Sequence, residues 1–304
     1  MSGNLRDLTL ARRSEIAATQ ARLATVEAQL AARTALGERL GQMRLHVIDR
    51  YLTLMRDELT GKLRQDRALP MVKDAELAGL SDAERQGQAF DADLRDKGLD
   101  WPMTALSMIG TRRMDNLRLC CEMAIARGIP GDFVETGVWR GGACIYMRAI
   151  LDAHQAPDRA VWVCDSFEGL PPPDVEQFPA DEGLYLNEYS GLAISLEEVQ
   201  DNFRRFGLLD DRVHFVKGFF KDTLHLAPIE SISVLRLDGD LYQSTIEALT
   251  ALYPKVSAGG YVIIDDYGAF EACSRAVHDY LTSVGQNDVR ITDIDGIGAW
   301  FQKP

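Results

Sequence analysis

The amino-acid sequence predicts an α/β fold: a Rossmann-like sheet of mostly parallel strands, preceded by a helical N-terminal extension. From Gly131 onward, short apolar segments typical of buried strands alternate with segments of helical periodicity. Repeated βα units give parallel strands joined by right-handed crossovers. Two of the apolar segments also end in aspartates, and ligands of open α/β sheets bind at the carboxyl ends of the strands. We therefore expect a catalytic site at that edge of the sheet.

Residues 1–64 form the predicted extension. The chain holds no proline from Ser14 to Leu63 and is rich there in Ala, Arg, Glu, Gln and Leu, which favours long helices. Ile16, Leu23 and Leu30 recur at seven-residue spacing. An a/d-like seam continues through Val26, Leu40, Val47, Tyr51 and Leu54, although Arg33, Gly37 and Arg44 also fall on seam positions. Two interpretations remain open: a helical hairpin or short coiled coil used for self-association, or a single amphipathic helix packed on its own domain.

The two segments that follow differ in polarity. Residues 65–107 are polar and charged with several short helical patches, which predicts a cap or linker. Residues 108–304 form the predicted catalytic domain. It opens with an amphipathic helix from Thr111 to Arg127, and Gly128 and Pro130 end this helix.

Five predicted strands alternate with helices in the catalytic domain. The strands are Asp132–Thr136, Val161–Cys164, Val213–Val216, Ile232–Leu237 and Tyr261–Ile264. The helices run from about Gly142 to Leu151, Ser195 to Arg205, Ser244 to Lys255 and Glu271 to Thr282. A closing hairpin of Val289–Ile294 and Ala299–Gln302 predicts an antiparallel strand in the otherwise parallel sheet.

The connection from Phe167 to Ile194 is unusually long. It contains three consecutive prolines, several acids and three aromatic residues beyond Phe167. Loops of this length in compact domains are usually functional lids or disordered. Because the connection follows the carboxyl end of a predicted strand, we favour a lid over the site.

Composition restricts the function classes. Acidic residues outnumber Lys and Arg by 46 to 33, giving a formal charge of −13, which opposes nucleic-acid or anionic-membrane binding. The five cysteines are scattered, without metal-ligand spacing, and fit reduced core thiols. No stretch approaches the ~20 apolar residues of a membrane span. We expect a soluble, cytoplasmic enzyme with a small-molecule partner.

The two acid-bearing strands predict a metal-assisted site. One strand precedes Asp238 and Asp240, and the other precedes Asp265 and Asp266. Carboxylates that converge at one rim are costly unless a cation or proton neutralises them. In extended geometry Asp238 and Asp240 would point to the same side, so that one ligates the metal while the other faces the substrate. Turn formation and helix capping remain the structural alternatives.

The turn after the first strand predicts a cofactor site. The segment Glu135–Gly142 is glycine-rich, but it matches neither the dinucleotide nor the P-loop pattern. Glu135 directly before the glycines suits the ammonium group of an amino-acid-like cofactor. Asp165, at the end of the second strand, suits ribose hydroxyls, and Phe167 could flank an adenine. Together these features indicate S-adenosylmethionine.

Four segments resemble the macrocin O-methyltransferase family, whose members methylate sugar hydroxyls of macrolide and aminocoumarin antibiotics. They are Phe133–Gly142, Asp165–Pro171, Leu237–Tyr242 and Ile264–Tyr267. The resemblance extends from about Met108 to the C-terminus. It implies a class I methyltransferase sheet and an S-adenosylmethionine-dependent O-methyltransferase of natural-product biosynthesis. The helical N-terminal extension gives the separate expectation of a homo-oligomer.

The resemblance also implies roles for individual residues. Asp238, Asp265 and Asp266 would bind Mg²⁺, and Asp240 would be the general base for the accepting hydroxyl. The residues expected at the cofactor are Glu135, Thr136, Gly137, Gly141, Asp165, Ser166, Phe167, Gly218, Phe220 and Asp238.

Other functions remain open from the sequence. Asp238-Gly239-Asp240 also matches the short Asp-x-Asp pattern of metal-dependent glycosyltransferases, although that function leaves Glu135 and the glycine turn unexplained. A non-catalytic scaffold that recruits partners through its N-terminal helix is a further alternative. Catechol-type enzymes use the same metal-and-carboxylate chemistry, so the accepting hydroxyl could belong to a phenol.

Overall fold

The computed structural model describes the backbone of residues 2–304 and the side chains of residues 12, 17, 19, 20 and 22–304. The side chain of Ile16, the first position of the predicted seven-residue pattern, lies outside the described residues. The chain divides into two compact units, Met1–Tyr51 and Leu52–Pro304.

Ten helices and nine strands are present in the described residues. The helices are α1 Ser2–Leu59, α2 Asp74–Leu77, α3 Asp82–Arg85, α4 Ala92–Lys97, α5 Gly110–Ala126, α6 Gly142–Ala153, α7 Leu196–Arg205, α8 Phe220–Thr223, α9 Tyr242–Leu252 and α10 Glu271–Ser283. The strands are β1 Ala68–Leu69, β2 Trp101–Pro102, β3 Asp132–Thr136, β4 Val161–Asp165, β5 Val213–Lys217, β6 Ile232–Leu237, β7 Val256–Ile264, β8 Thr292–Asp293 and β9 Ala299–Gln302.

The first unit consists of most of α1. The helix is continuous from Ser2 to Leu59, so the helical hairpin considered from the sequence does not form. Leu23, Leu30 and Leu40 are each more than half exposed. Leu23 and Leu30 follow the seven-residue spacing and Leu40 continues the a/d-like pattern, so that these side chains form an apolar seam on this helix.

The second unit is built on a seven-stranded sheet in the order β5-β4-β3-β6-β7-β9-β8. The strands from β5 to β7 are parallel, and β9 runs antiparallel to both β7 and β8. This confirms the mostly parallel sheet with an antiparallel terminal strand. The strand order reverses between β3 and β6, and a crevice opens outside the carboxyl ends of the strands at such a point.

The sheet core explains why the sequence predicted the strands well. Every residue of β6 is buried, as expected for a strand covered by helices on both faces. The terminal hairpin is shorter than predicted, because β8 covers only Thr292–Asp293. Asp295 ends it by accepting hydrogen bonds from the backbone N–H groups of Ile297 and Gly298 at 3.1 and 3.0 Å.

Residues 65–107 form a small cap of short elements, with β1 paired antiparallel to β2. A fully buried Arg95 organises it through an ion pair with Asp100 at 2.7 Å. The same guanidinium donates to the backbone carbonyls of Thr60 and Asp66, both at 2.8 Å. The cap is thus fastened to the chain that directly follows α1.

Two further observations concern sequence expectations. All five cysteines are free and buried, consistent with reduced core thiols. Among the described residues, no helix combines the length and apolarity that a membrane crossing requires.

Candidate active site

A cavity of about 810 Å³ lies at the carboxyl ends of the central strands. Predicted site residues that line it are Glu135, Gly137, Asp165, Ser166, Phe220, Asp238, Asp240, Asp265 and Asp266. The sheet therefore brings together acids that lie at the carboxyl ends of β3 and β4 or directly after β6 and β7, although they are distant in the chain.

Four predicted cofactor residues do not line this cavity in the described structure. They are Thr136, Gly141, Phe167 and Gly218. Phe167 is buried, and its ring packs 6.4 Å from that of Phe215. The ring of Phe167 therefore packs in the core and does not line the cavity, and its expected contact with an adenine stays a prediction. Asp165 and Ser166 are the residues of this turn that line the cavity.

The glycine turn after β3 is required by protein packing as well as by any ligand. Gly137 has φ +78°, and a Cβ there would lie 1.7 Å from the carbonyl oxygen of Asp238. Gly141, directly before α6, has φ +84°. A Cβ on Gly141 would lie 2.8 Å from the side chain of Val199. These left-handed conformations favour glycine, and at Gly137 even alanine would collide with the neighbouring strand end.

Glu135 lies buried at the base of the cavity. One carboxylate oxygen pairs with Arg236, and the other accepts a hydrogen bond from the thiol of Cys144 at 2.7 Å. Burial raises the pKa of Glu135 to about 7, although the charge of Arg236 acts in the opposite direction. Both oxygens thus have protein partners, and a direct contact with a cofactor ammonium group stays a prediction.

Asp165 shapes the turn after β4. Its carboxylate accepts hydrogen bonds from the backbone N–H groups of Val138 and Phe167, both at 2.7 Å. Burial raises the pKa of Asp165, and these hydrogen bonds oppose the rise. The residue therefore connects the two turns that follow β3 and β4 while it faces the cavity.

Three aspartates form a candidate metal centre. Asp238, Asp265 and Asp266 each offer one carboxylate oxygen, and these oxygens all lie within 4.8 Å of one another. Asp266 also accepts a hydrogen bond from the backbone N–H of Asp240 at 3.2 Å. An all-oxygen donor set of this kind suits a hard cation such as Mg²⁺.

The electrostatics of this group also favour a cation. Burial, followed by the charges of neighbouring acids, raises the pKa of Asp238 to about 6 and that of Asp240 to about 8. The pKa of Asp266 is raised well above its usual range for the same reasons. Without a metal ion, the raised pKa values of Asp240 and Asp266 favour their protonated forms, and a divalent cation would displace these protons.

The expected geometry of Asp238 and Asp240 is wrong. The strand ends at Leu237, so both aspartates lie in the following loop. Asp240 adopts a left-handed conformation with φ +57°, and strand alternation does not orient it. Asp240 is instead positioned by its backbone bond to Asp266.

Two arginines of the site were missed from the sequence. Arg236 contacts Glu135, Asp238 and Asp265, and Arg113 of α5 contacts Asp265 and Asp295. A single arginine inside an otherwise apolar, buried strand was the signal available for Arg236, because buried charges are rare unless paired.

The loop between β4 and α7 meets the cap beside the cavity. Lys73 pairs with Glu188 at 2.6 Å. The side chain and backbone N–H of Ser190 donate to Asp74 at 2.7 and 2.9 Å. These contacts fasten the loop to residues 73 and 74, and Leu186, Tyr189 and Leu192 of the loop line the cavity. A lid role of the loop stays a prediction.

Comparisons with known proteins identify the family of this chain. A family model described as Macrocin-O-methyltransferase (TylF) matches residues 48–303. The chain is 48% identical over 255 residues to the 8-demethyl-8-(2,3-dimethoxy-alpha-L-rhamnosyl)-tetracenomycin-C 4'-O-methyltransferase of Streptomyces olivaceus, covering 84% of this chain and 92% of the relative. It is 46% identical over 254 residues to the demethyldecarbamoylnovobiocin O-methyltransferase of Streptomyces niveus, and the match covers 83% of this chain and 93% of that relative.

The solved structure of the O-methyltransferase NovP is similar in three dimensions as well. It has a TM-score of 0.77 and 45% sequence identity, and the match covers 84% of this chain and 99% of NovP. The family model spans the cap, the sheet and every acid of the candidate site. The chain therefore belongs to the macrocin O-methyltransferase family and is an O-methyltransferase.

Proposed function

We propose that the enzyme transfers the methyl group of S-adenosylmethionine to a sugar hydroxyl of a glycosylated natural product, with the help of Mg²⁺. The observation that carries this proposal is the placement of Asp240 beside the three-aspartate cluster in one cavity with Asp165. Asp240 as base, the three aspartates as cation site and Asp165 as cofactor ligand would thus all serve one acceptor molecule.

The relatives support a glycosylated acceptor. The name of the Streptomyces olivaceus relative includes a rhamnosyl group. A third relative, the mycinamicin III 3''-O-methyltransferase of Micromonospora griseorubida, is 43% identical over 259 residues and covers 84% of this chain and 97% of the relative. A sugar hydroxyl is a weak acid, so its methylation requires help with proton removal.

The residues of the site can supply that help. Asp238, Asp265 and Asp266 would hold Mg²⁺, which when bound lowers the pKa of a hydroxyl that it contacts. Asp240 would accept the proton of the attacking hydroxyl, a contribution typically worth ~10²–10⁴-fold. Burial and the neighbouring acids raise the pKa of Asp240 to about 8 in the absence of metal. A bound cation would lower this pKa, so that the carboxylate is ionised and can accept the proton. The cofactor supplies the methyl group, and in-line attack depends on positioning.

A catechol-type phenol acceptor is the second candidate, since the same acids would serve it. The glycosyltransferase and scaffold alternatives lose support, because the relatives named above are O-methyltransferases.

Incorporation of tritiated methyl groups separates the remaining candidates. Purified enzyme with labelled S-adenosylmethionine would be offered rhamnosides and catechols, each with Mg²⁺ or with EDTA. We expect Mg²⁺-dependent labelling of rhamnosides. Labelling that persists after exhaustive EDTA dialysis would contradict the metal role, and labelling confined to catechols would contradict the sugar acceptor.

We also propose that the enzyme is a cytoplasmic homo-oligomer in which α1 contributes a coiled-coil contact. The support is the exposed seam of Leu23, Leu30 and Leu40, at the spacing that coiled coils use. Leu30→Glu and Leu40→Glu together should lower the mass measured by light scattering. An unchanged mass would remove this seam from the interface.

A further inference from the structure

The cap contains a second cavity that adjoins the active-site cavity. It measures about 540 Å³. Met71 and Leu99 line both cavities, so the two spaces meet at these side chains. Leu69, Leu80 and Leu94 belong to the second cavity alone.

Exposed apolar side chains line the second cavity. Met71 is 54% exposed, Leu99 is 49% exposed and Leu94 is 38% exposed. A ligand that covers such side chains gains binding free energy in proportion to the apolar surface removed from water. Exposed apolar surface beside an active site is therefore a candidate for substrate binding.

The polar groups of the cap are largely engaged with one another. Arg95 pairs with Asp100, and Arg67 donates to the backbone carbonyls of Gln86 and Gly87 at 2.7 and 2.6 Å. Nine of the thirteen residues that line the second cavity are apolar, and its polar lining residues are Glu84, Gln88 and Asp100. Asp100 is already paired with Arg95, and Glu84 accepts hydrogen bonds from Ser81.

We propose that the second cavity binds the apolar aglycone of the acceptor while the sugar occupies the acidic end of the first cavity. The two chemistries match the two parts of such a molecule: hydroxyls lie toward Asp240, and apolar rings lie beyond Met71 and Leu99. This inference rests on the proposed function, because it assumes a glycoside as the acceptor.

Affinity for paired glycosides tests the inference without requiring turnover. Enzyme saturated with S-adenosylhomocysteine and Mg²⁺ would be titrated calorimetrically with methyl α-L-rhamnoside and with 2-naphthyl α-L-rhamnoside. We expect the naphthyl glycoside to bind at least about tenfold more tightly, since it adds apolar surface that the cap can cover.

Two leucine variants locate the effect. Leu94→Asn should reduce the ratio of the two Kd values at least about threefold, because it places an amide in the second cavity. Leu119→Asn is the matched control: Leu119 lies on α5, is 49% exposed and lines neither cavity. That variant should keep the wild-type ratio.

Two results would overturn the inference. One is equal affinity of the wild-type enzyme for both glycosides. The other is a preference for the naphthyl glycoside that Leu94→Asn and Leu119→Asn leave equally intact, which would place the aglycone elsewhere. Methyl transfer to the same glycosides is measured separately, so tight binding without transfer would contradict the proposed function and not the aglycone site.

Discussion

Arg236 and Glu135 face each other across two adjacent parallel strands and form a buried ion pair. They are register partners in the pairing of β3 with β6, and their side chains are 1% and 2% exposed. The same guanidinium reaches Asp238 at 2.8 Å and contacts Asp265. The guanidinium of Arg236 thus contacts both Glu135, beside the glycine turn, and two acids of the candidate metal centre.

The buried ion pair predicts that removal of the positive charge of Arg236 strongly lowers the free energy of unfolding. Arg236→Met should destabilise the enzyme by about 3–5 kcal/mol, because it leaves buried carboxylates uncompensated. Arg236→Lys should cost less, since it keeps the charge but cannot contact three carboxylates as a planar fork. Chemical denaturation measures both values.

The control for these variants is Arg204→Lys. Arg204 pairs with Asp201, and both side chains are more than half exposed, so this change should cost roughly 0–1 kcal/mol. Equal losses for Arg204→Lys and Arg236→Met would show that burial of the ion pair does not matter.

Asp240→Asn should abolish most turnover while the cofactor still binds. The amide removes the proton acceptor, so kcat should fall ~10²–10⁴-fold, whereas the Kd for S-adenosylhomocysteine should change little. Asp211→Asn, at an exposed position, should behave as wild type. Normal turnover in Asp240→Asn would assign the base to another group.

Asp266→Asn tests the metal centre more cleanly than a change at Asp265, which also contacts Arg113 and Arg236. Replacing one of three carboxylate ligands should weaken Mg²⁺ binding at least about tenfold. Calorimetric titration with MgCl₂ measures the change, with the exposed Asp158→Asn as the control. Unaltered Mg²⁺ affinity would exclude Asp266 as a ligand.

Metal-free enzyme should lose stability as the pH rises. Folding raises the pKa of Asp238 to about 6 and that of Asp240 to about 8, whereas an unfolded aspartate titrates near pH 4. Between these values the folded state holds more protons than the unfolded state, so the free energy of unfolding falls with increasing pH.

Thermal unfolding in EDTA should therefore show a Tm several degrees lower at pH 9 than at pH 5.5. Saturating Mg²⁺ should remove most of this difference, because the metal replaces the protons. Sodium chloride of equal ionic strength controls for screening. An equal loss of Tm with and without Mg²⁺ would contradict the cation site.

Gly137→Ala should be among the most damaging single changes in the sheet. Its Cβ would lie 1.7 Å from the Asp238 carbonyl oxygen in addition to the left-handed φ of +78°. Gly285 has a similar φ of +71°, but a Cβ there would meet no atom within 4 Å, so Gly285→Ala isolates the backbone cost of ~1–2 kcal/mol. Similar unfolding free energies for the two variants would mean that the strand ends separate easily.

Much of the sheet could be predicted because its signals are local. Apolar runs bounded by turns located β3, β4 and β6 nearly to the residue. The start of β7 was missed because Val256–Gly260 includes two glycines and a serine, which weaken the strand pattern. Helix α1 ends at Leu59, close to the predicted end of the helical extension. Composition did not decide whether this extension forms one continuous helix or a helical hairpin.

The sequence by itself determined the order of strands and helices, the positions of the acids at strand ends and the family, since each depends on residues that are neighbours in the chain. Only the tertiary structure decided which charges meet. Glu135 and Arg236 lie on β3 and β6 and Asp265 directly follows β7, so that their contacts depend on the register of these three strands. The left-handed turn at Asp240 and the adjoining cap cavity likewise arise from packing between distant segments. Such packing leaves no periodic mark in the sequence.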